Sequence, residues 1–152
     1  MDTTKQLNDE LLEQYIMAGS TGTGAEQLRV LSEHYCGRVR LRVAENQATP
    51  PDVLAKLASD VNPDVKIAVA ANPSCDRSIV RLIAADIDVA VRHGLAQNIA
   101  TPGSVLEELS RDENGWVRGE ALKTLQILAG RRYDEVGRRR RLRRRKMQDK
   151  AG

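Results

Sequence analysis

From Val39 onward the chain returns to itself every 26 residues, so its fold must accommodate a series of nearly equivalent segments laid end to end. The units open at Val39, Val65, Val91 and Val117, and the first three align without a gap. After each opening Val comes Arg40, Lys66, Arg92 or Arg118; four past it stand Val43, Val69, Leu95 and Ala121; seven past it stand Asn46, Asn72 and Asn98. The second half keeps its own columns: Val53, Ile79 and Val105; Leu54, Val80 and Leu106; Leu57, Ile83 and Leu109; Asp60, Asp86 and Asp112. A unit this short cannot bury an apolar face alone, so successive units must stack.

Two helical pieces fit inside a unit. Asn62, Asp88 and Asn114 stand three residues before an opening Val, where a side-chain oxygen can accept from first-turn amides, and Pro63 suits the first helical position. This first helix is predicted to end near Asn46, Asn72 or Asn98, a residue type tolerated in the left-handed conformation that often closes helices. The second piece is expected to open at Thr49-Pro50 or Thr101-Pro102, with Thr as its cap, and to bury Val53, Leu54, Leu57 and their equivalents. Upstream, LNDELLEQYIMAG reads as a helix over residues 8–18, capped by Asn8 and ended by Gly19. It would stand in for a missing first half-unit. Strands have little room, and an all-α solenoid follows, with 3₁₀ turns among its connectors. The absence of Phe suits closely stacked short helices.

Charge divides the chain. Residues 1–130 carry 13 basic and 18 acidic side chains, net −5, whereas residues 131–152 carry 11 and 3, net +8. The basic run is Arg138, Arg139, Arg140, Arg141, Leu142, Arg143, Arg144, Arg145 and Lys146. Self-repulsion and the lack of an apolar stripe predict disorder there in the free protein. The expected organisation is a capping helix and linker at 1–24, a solenoid at 25–130 and a basic, disordered tail at 131–152. The two cysteines, Cys36 and Cys75, show no CxxC spacing, and no secretory signal or membrane span is visible, so a cytoplasmic protein with reduced thiols is expected.

The columns VRxxVAxN and TPxxVLxxLAxD resemble the leucine-rich repeat variant family, itself similar in appearance to HEAT and armadillo-like helical repeats. The resemblance runs over about residues 23–129. It implies a right-handed superhelix of 26-residue repeats in which α-helices alternate with short 3₁₀ helices. Some members carry an N-terminal cysteine cluster holding an iron–sulfur centre; here only Cys36 precedes the first complete repeat, so no cofactor is expected. The family implies no single function, because a solenoid is a surface on which different sites are built.

Three sets of residues are functional candidates. Arg40, Lys66, Arg92 and Arg118 would form either a ladder with Asp60, Asp86 and Asp112, each six residues before a basic residue, or a free cationic row for phosphates or carboxylates. Trp116 would cover the end of the array or anchor a partner. The C-terminal run has the chemistry for DNA or RNA, since guanidinium groups bind phosphates bidentately and counterion release drives association. His34 and His93 are far apart and read as packed histidines. No glycine-rich phosphate loop, HExxH motif or metal-ligand spacing occurs. Helical-repeat DNA glycosylases make a repair enzyme a minor alternative, with Trp116 beside Asp112 and Glu113 as its only local hint. A non-enzymatic module binding a protein partner through the solenoid is the expected function; nucleic acid held by the tail is the alternative, and neither membrane insertion nor a small-molecule ligand is favoured.

Overall fold

The computed structural model describes the backbone of residues 3–148 and the side chains of residues 8–131. Within that span the chain forms α1 (Thr3–Gly19), α2 (Ala25–Leu31), α3 (Gly37–Glu45), α4 (Pro51–Leu57), α5 (Pro63–Ala71), α6 (Arg77–Ala84), α7 (Val89–Gln97), α8 (Gly103–Leu109) and α9 (Gly115–Gln148). The odd-numbered helices pack each on the next, from α1 through to α9, and make one layer. The shorter even-numbered helices form the second layer and sit against the odd ones on either side. This is an all-α helical array.

The core lies between the layers and follows the sequence columns. Val39, Val65, Val91 and Val117 are fully buried, as are Val43, Val69 and Ala121, with Leu95 almost so. From the short helices, Leu28, Leu54, Val80 and Leu106 enter the same core; Ile79 is only half-buried. Helix starts follow their caps: Asn62 accepts from the Asp64 amide at 2.9 Å, Asp88 from Ala90 at 2.8 Å and Asn114 from Trp116 at 2.9 Å.

The asparagines that end the odd helices act otherwise than expected. Asn46, Asn72 and Asn98 have extended backbones, with φ of −72°, −71° and −83°. Their side chains explain why asparagine stands there. Asn72 Nδ2 donates to Ala44 O (2.7 Å) and Asn46 O (2.9 Å) of the preceding layer, while its Oδ1 accepts from Ser74 N. Asn46 repeats this against Ala18 O and Ser20 O. Thr49 and Thr101 also differ from expectation. Each turns its hydroxyl back to the preceding odd helix, donating to Val43 O (2.6 Å) and Leu95 O (2.8 Å), and the cap positions fall to Pro50 and Pro102. A carbonyl left bare at a buried helix end costs more than a missing N-cap at an exposed start, which favours this use of the hydroxyl.

Three further expectations change. α1 begins at Thr3, so Asn8 lies within the helix rather than capping it. α1 also takes the place of an odd helix: Ala18 is as fully buried as Ala44, and Thr23 bonds Met17 O as Thr49 bonds Val43 O. The even helices are α-helical over seven or eight residues, where the resemblance implied 3₁₀ helices; i→i+3 bonds occur at their ends, as in Val53 N to Pro50 O. Lastly, α9 continues without a break through Gly130 to Gln148 instead of giving way to a separate tail at 131. Arg and Lys are good helix formers, and the packed first turns of α9 supply the nucleus that a free segment would lack.

Candidate interaction surface

The basic column is built into the turns that connect each even helix to the next odd one. Arg40 lies in the first turn of α3 and reaches forward to Asp60 of the following layer, Nε to Oδ2 at 2.6 Å and Nη2 to Oδ1 at 2.9 Å. Arg92 does the same to Asp112 at 2.8 and 3.2 Å, and Lys66 Nζ meets Asp86 at 2.6 Å. The partner is thus 20 residues ahead; the residue six positions back contributes a carbonyl instead. Arg40 Nη1 donates to His34 O and Tyr35 O, Arg92 Nη1 to Asp86 O and Ile87 O, and Arg118 Nη1 to Asp112 O and Glu113 O. Lysine cannot span both sites, and Lys66 bonds the carboxylate alone.

Each aspartate also accepts from the amide two residues on: Asn62, Asp88 and Asn114, at 2.8–2.9 Å. His34 occupies the same column in the first layer and serves the same turn, its Nδ1 accepting from Cys36 N at 3.0 Å. Burial alone would raise the Asp60 pKa, but the Arg40 hydrogen bonds and the Asn62 amide outweigh it and hold it below the ordinary aspartate value. Asp86 and Asp112 are held down chiefly by Lys66 and Arg92. Arg40, Lys66 and Arg92 therefore have their charges engaged within the array. Arg118 is exposed on α9 with its described bonds going to backbone carbonyls.

These turns present another column, one that the sequence reading did not single out. Tyr35, Val61 and Ile87 each stand four residues before an opening Val and are 80%, 92% and 95% exposed. Their side chains face solvent on braced turns: the guanidinium groups of Arg40 and Arg92 bind the carbonyls of Tyr35 and Ile87, and Val61 lies between Asp60 and Asn62, whose carboxylate and amide are bonded to each other. Glu113 ends the column, its side chain 90% exposed. Depressions lie along the same edge. One of about 420 Å³ is bordered by Tyr35, Val61, Arg40, Asp60, Lys56 and Glu33; another of about 520 Å³ is bordered by Ile87, Asp86, Arg92, Asp112 and Glu113. The signal was in the sequence as an apolar residue at a turn. It was obscured because an apolar residue in a repeat column is ordinarily taken as core.

Elsewhere, a groove of about 460 Å³ is lined by α3 and α5, among them Leu41, Glu45, Asp64, Ile67 and Ala68, and by Asn98 just past α7. Trp116, in the first turn of α9, is 79% exposed, so it stands out from the array's last layer rather than covering it. The side chains of the Arg138–Lys146 run lie outside the described residues. Asp112 is engaged by Arg92, and Trp116 does not border the depression that holds Asp112 and Glu113. The arrangement required for a base-flipping pocket is not assembled there. Among the described residues no three His, Cys, Asp or Glu side chains gather where they could hold a metal ion, and no helix is long and apolar enough to cross a membrane.

Fold and surface together define a helical-repeat array. The family model of the Leucine Rich Repeat Variant domain matches residues 40–99, from the first turn of α3 to just beyond α7. Neither any curated protein nor any solved structure matches the chain. The likeness is to helical repeats in general, over part of the chain.

Proposed function

We propose that the protein is a non-enzymatic interaction module that binds a protein partner along its repeat surface, the array being a right-handed superhelix of 26-residue units. The observation that carries this reading is the exposed apolar column Tyr35, Val61 and Ile87 on turns fixed by the ladder. Large apolar side chains almost wholly in water, recurring once per layer on rigid backbone, suit contact with a second macromolecule. The test is retention of proteins from an extract of the source cells on the full chain and on its Val61→Asp and Ile87→Asp variants, with circular dichroism confirming equal folding. A protein held by the unaltered chain and lost from both variants supports the reading; an unchanged set of retained proteins excludes this edge.

The second reading is nucleic acid bound by the C-terminal run. It is favoured by the continuity of α9 to Gln148, which places residues 138–146 on a helix extending from the array. With about five phosphate contacts, affinity for a generic duplex should fall a few hundredfold between about 50 and 200 mM salt. It should vanish in a chain ending at Gly130. Salt-independent or absent binding sinks it.

A further inference from the structure

We infer that the Tyr35–Val61–Ile87 edge takes one amphipathic α-helix, with an apolar residue at the same place in three successive heptads and a basic residue one heptad beyond. The inference rests on the reading of this edge as a docking surface and names the kind of partner it fits.

Spacing comes first. Successive odd helices pack on one another, and packed helices lie about 8–10 Å apart, which sets the scale expected for each step from Tyr35 to Val61 to Ile87. A helix advances about 10.5 Å in seven residues, and can therefore set one apolar side chain against each step. An extended chain repeats every two residues, about 7 Å, and falls short of every step in that range by about 1–3 Å, whereas the heptad comes within about 0.5 Å of its upper end.

Backbone hydrogen bonding points the same way. A strand added to an edge needs a row of free donors and acceptors. Here the carbonyls of His34, Tyr35, Asp86, Ile87, Asp112 and Glu113 already accept from guanidinium groups. The amides of Cys36, Asn62, Asp88 and Asn114 are taken by His34 Nδ1 and the three aspartates. No continuous row is left for an extended chain to pair with. A helix brings its backbone bonds already made and needs only side-chain contact.

Charge gives the partner its sign. The column that is apolar at Tyr35, Val61 and Ile87 becomes acidic at Glu113, whose carboxylate lies 3.6 Å from Arg92 Nη2 but is 90% exposed and so open to a second cation, and residues 1–130 carry a net charge of −5. A helix whose fourth heptad offers Lys or Arg meets Glu113 in register, and basic residues on its flanks would speed encounter with the acidic body.

The experiment uses the full chain and four fluorescein-labelled synthetic peptides. The first is an Ala/Lys helix with leucine once per heptad for three heptads and lysine at that position in the heptads on either side. The second has the same composition with the leucines scattered around the helix; the third has glutamate for lysine; the fourth has proline in each heptad to prevent helix formation. Affinities are measured by anisotropy for the unaltered protein, for the neutral double variant Val61→Asn/Ile87→Asn, and for Glu113→Lys. The first peptide should bind about tenfold more tightly than the other three, and lose about tenfold on the double variant. Glu113→Lys should weaken it severalfold.

Equal binding of the first and second peptides, binding unchanged by the double variant, or no binding of any peptide overturns the inference. If the proline peptide binds in a Val61-dependent way and the helical one does not, the edge docks an extended chain: the helix inference fails and the surface reading stands. Should retention from cell extract also be indifferent to Val61 and Ile87, the surface reading falls with it.

Discussion

At the scale of single residues, the same pair of charges has different worth at different depths. Arg92 and Asp112 are bidentate with side chains 9% and 8% exposed, whereas Arg29 and Asp52 are 44% and 62% exposed. Asp112→Ala removes the bidentate partner of a nearly buried guanidinium, which keeps two backbone carbonyls and the Glu113 carboxylate at 3.6 Å, and it leaves the Asn114 amide unpaired, so it should cost about 2–3 kcal/mol; Asp52→Ala should cost under about 1 kcal/mol. Urea midpoints of the two variants check this. Lys66→Arg runs the other way. Arginine at that position can add bonds to the carbonyls of Asp60 and Val61, as its equivalents do one layer on either side, and about 1 kcal/mol of added stability is expected by the same measurement. The asparagines also separate. Asn72 ties two carbonyls of the preceding layer, but among the described residues Asn98 has only its acceptor bond from Ala100 N and is half-buried. Asn72→Ala should therefore cost about 2–3 kcal/mol and Asn98→Ala about 1 kcal/mol or less. The column of asparagines was plain in the sequence, and its unequal use was not. Whether Nδ2 reaches the previous layer depends on how closely two helices approach.

At the scale of the elements, the ladder couples each turn to the next layer, and its acids give the array a pH response of definite sign. Asp60, Asp86 and Asp112 have folded-state pKa values below the ordinary one. An unfolded aspartate titrates near about 3.9, so on acidification the unfolded chain binds protons first. The ladder's stabilisation is thus complete above about pH 5 and fades as pH falls through the lower folded values. Urea midpoints from about pH 6 to pH 2 should drop steeply below about pH 4, and less steeply in Asp112→Asn. Equal slopes would mean that this carboxylate is not linked to folding. The seam between α5 and α7 shows how a column can hide a local adjustment. Gly94 takes the place of Ala68 in the next unit, and a Cβ there would collide with Ile67 Cδ1 and stand 2.9 Å from its Cγ1. Glycine permits that approach, and no spacing rule announces it.

At the scale of the whole molecule, both end helices leave apolar side chains in water, and on α1 Leu12 and Ile16 are 55% and 60% exposed. Ala18, Ala44, Ala70 and Ala96 are buried where one odd helix meets the next, and the following residue in that column, Leu122 on α9, is 56% exposed. No further layer covers it among the described residues. Ending the chain at Gly130 keeps every buried residue of the described core and leaves α9 its first turns, so cooperative unfolding should persist with a melting midpoint within a few degrees of the full chain; a collapse of the transition would show that the extension supports the array. The sequence by itself determined that the chain is a stack of helices, where α5, α7 and α9 begin, most of the core columns and that charge is divided between body and C-terminus, because those follow from periodicity, capping chemistry and composition. Tertiary structure alone decided which aspartate each cation meets, where the Asn and Thr side chains send their bonds, and that Tyr35, Val61 and Ile87 face water. Those outcomes depend on the distance and rotation between neighbouring layers, and residues 20 or more apart acquire a relation only once the layers have packed.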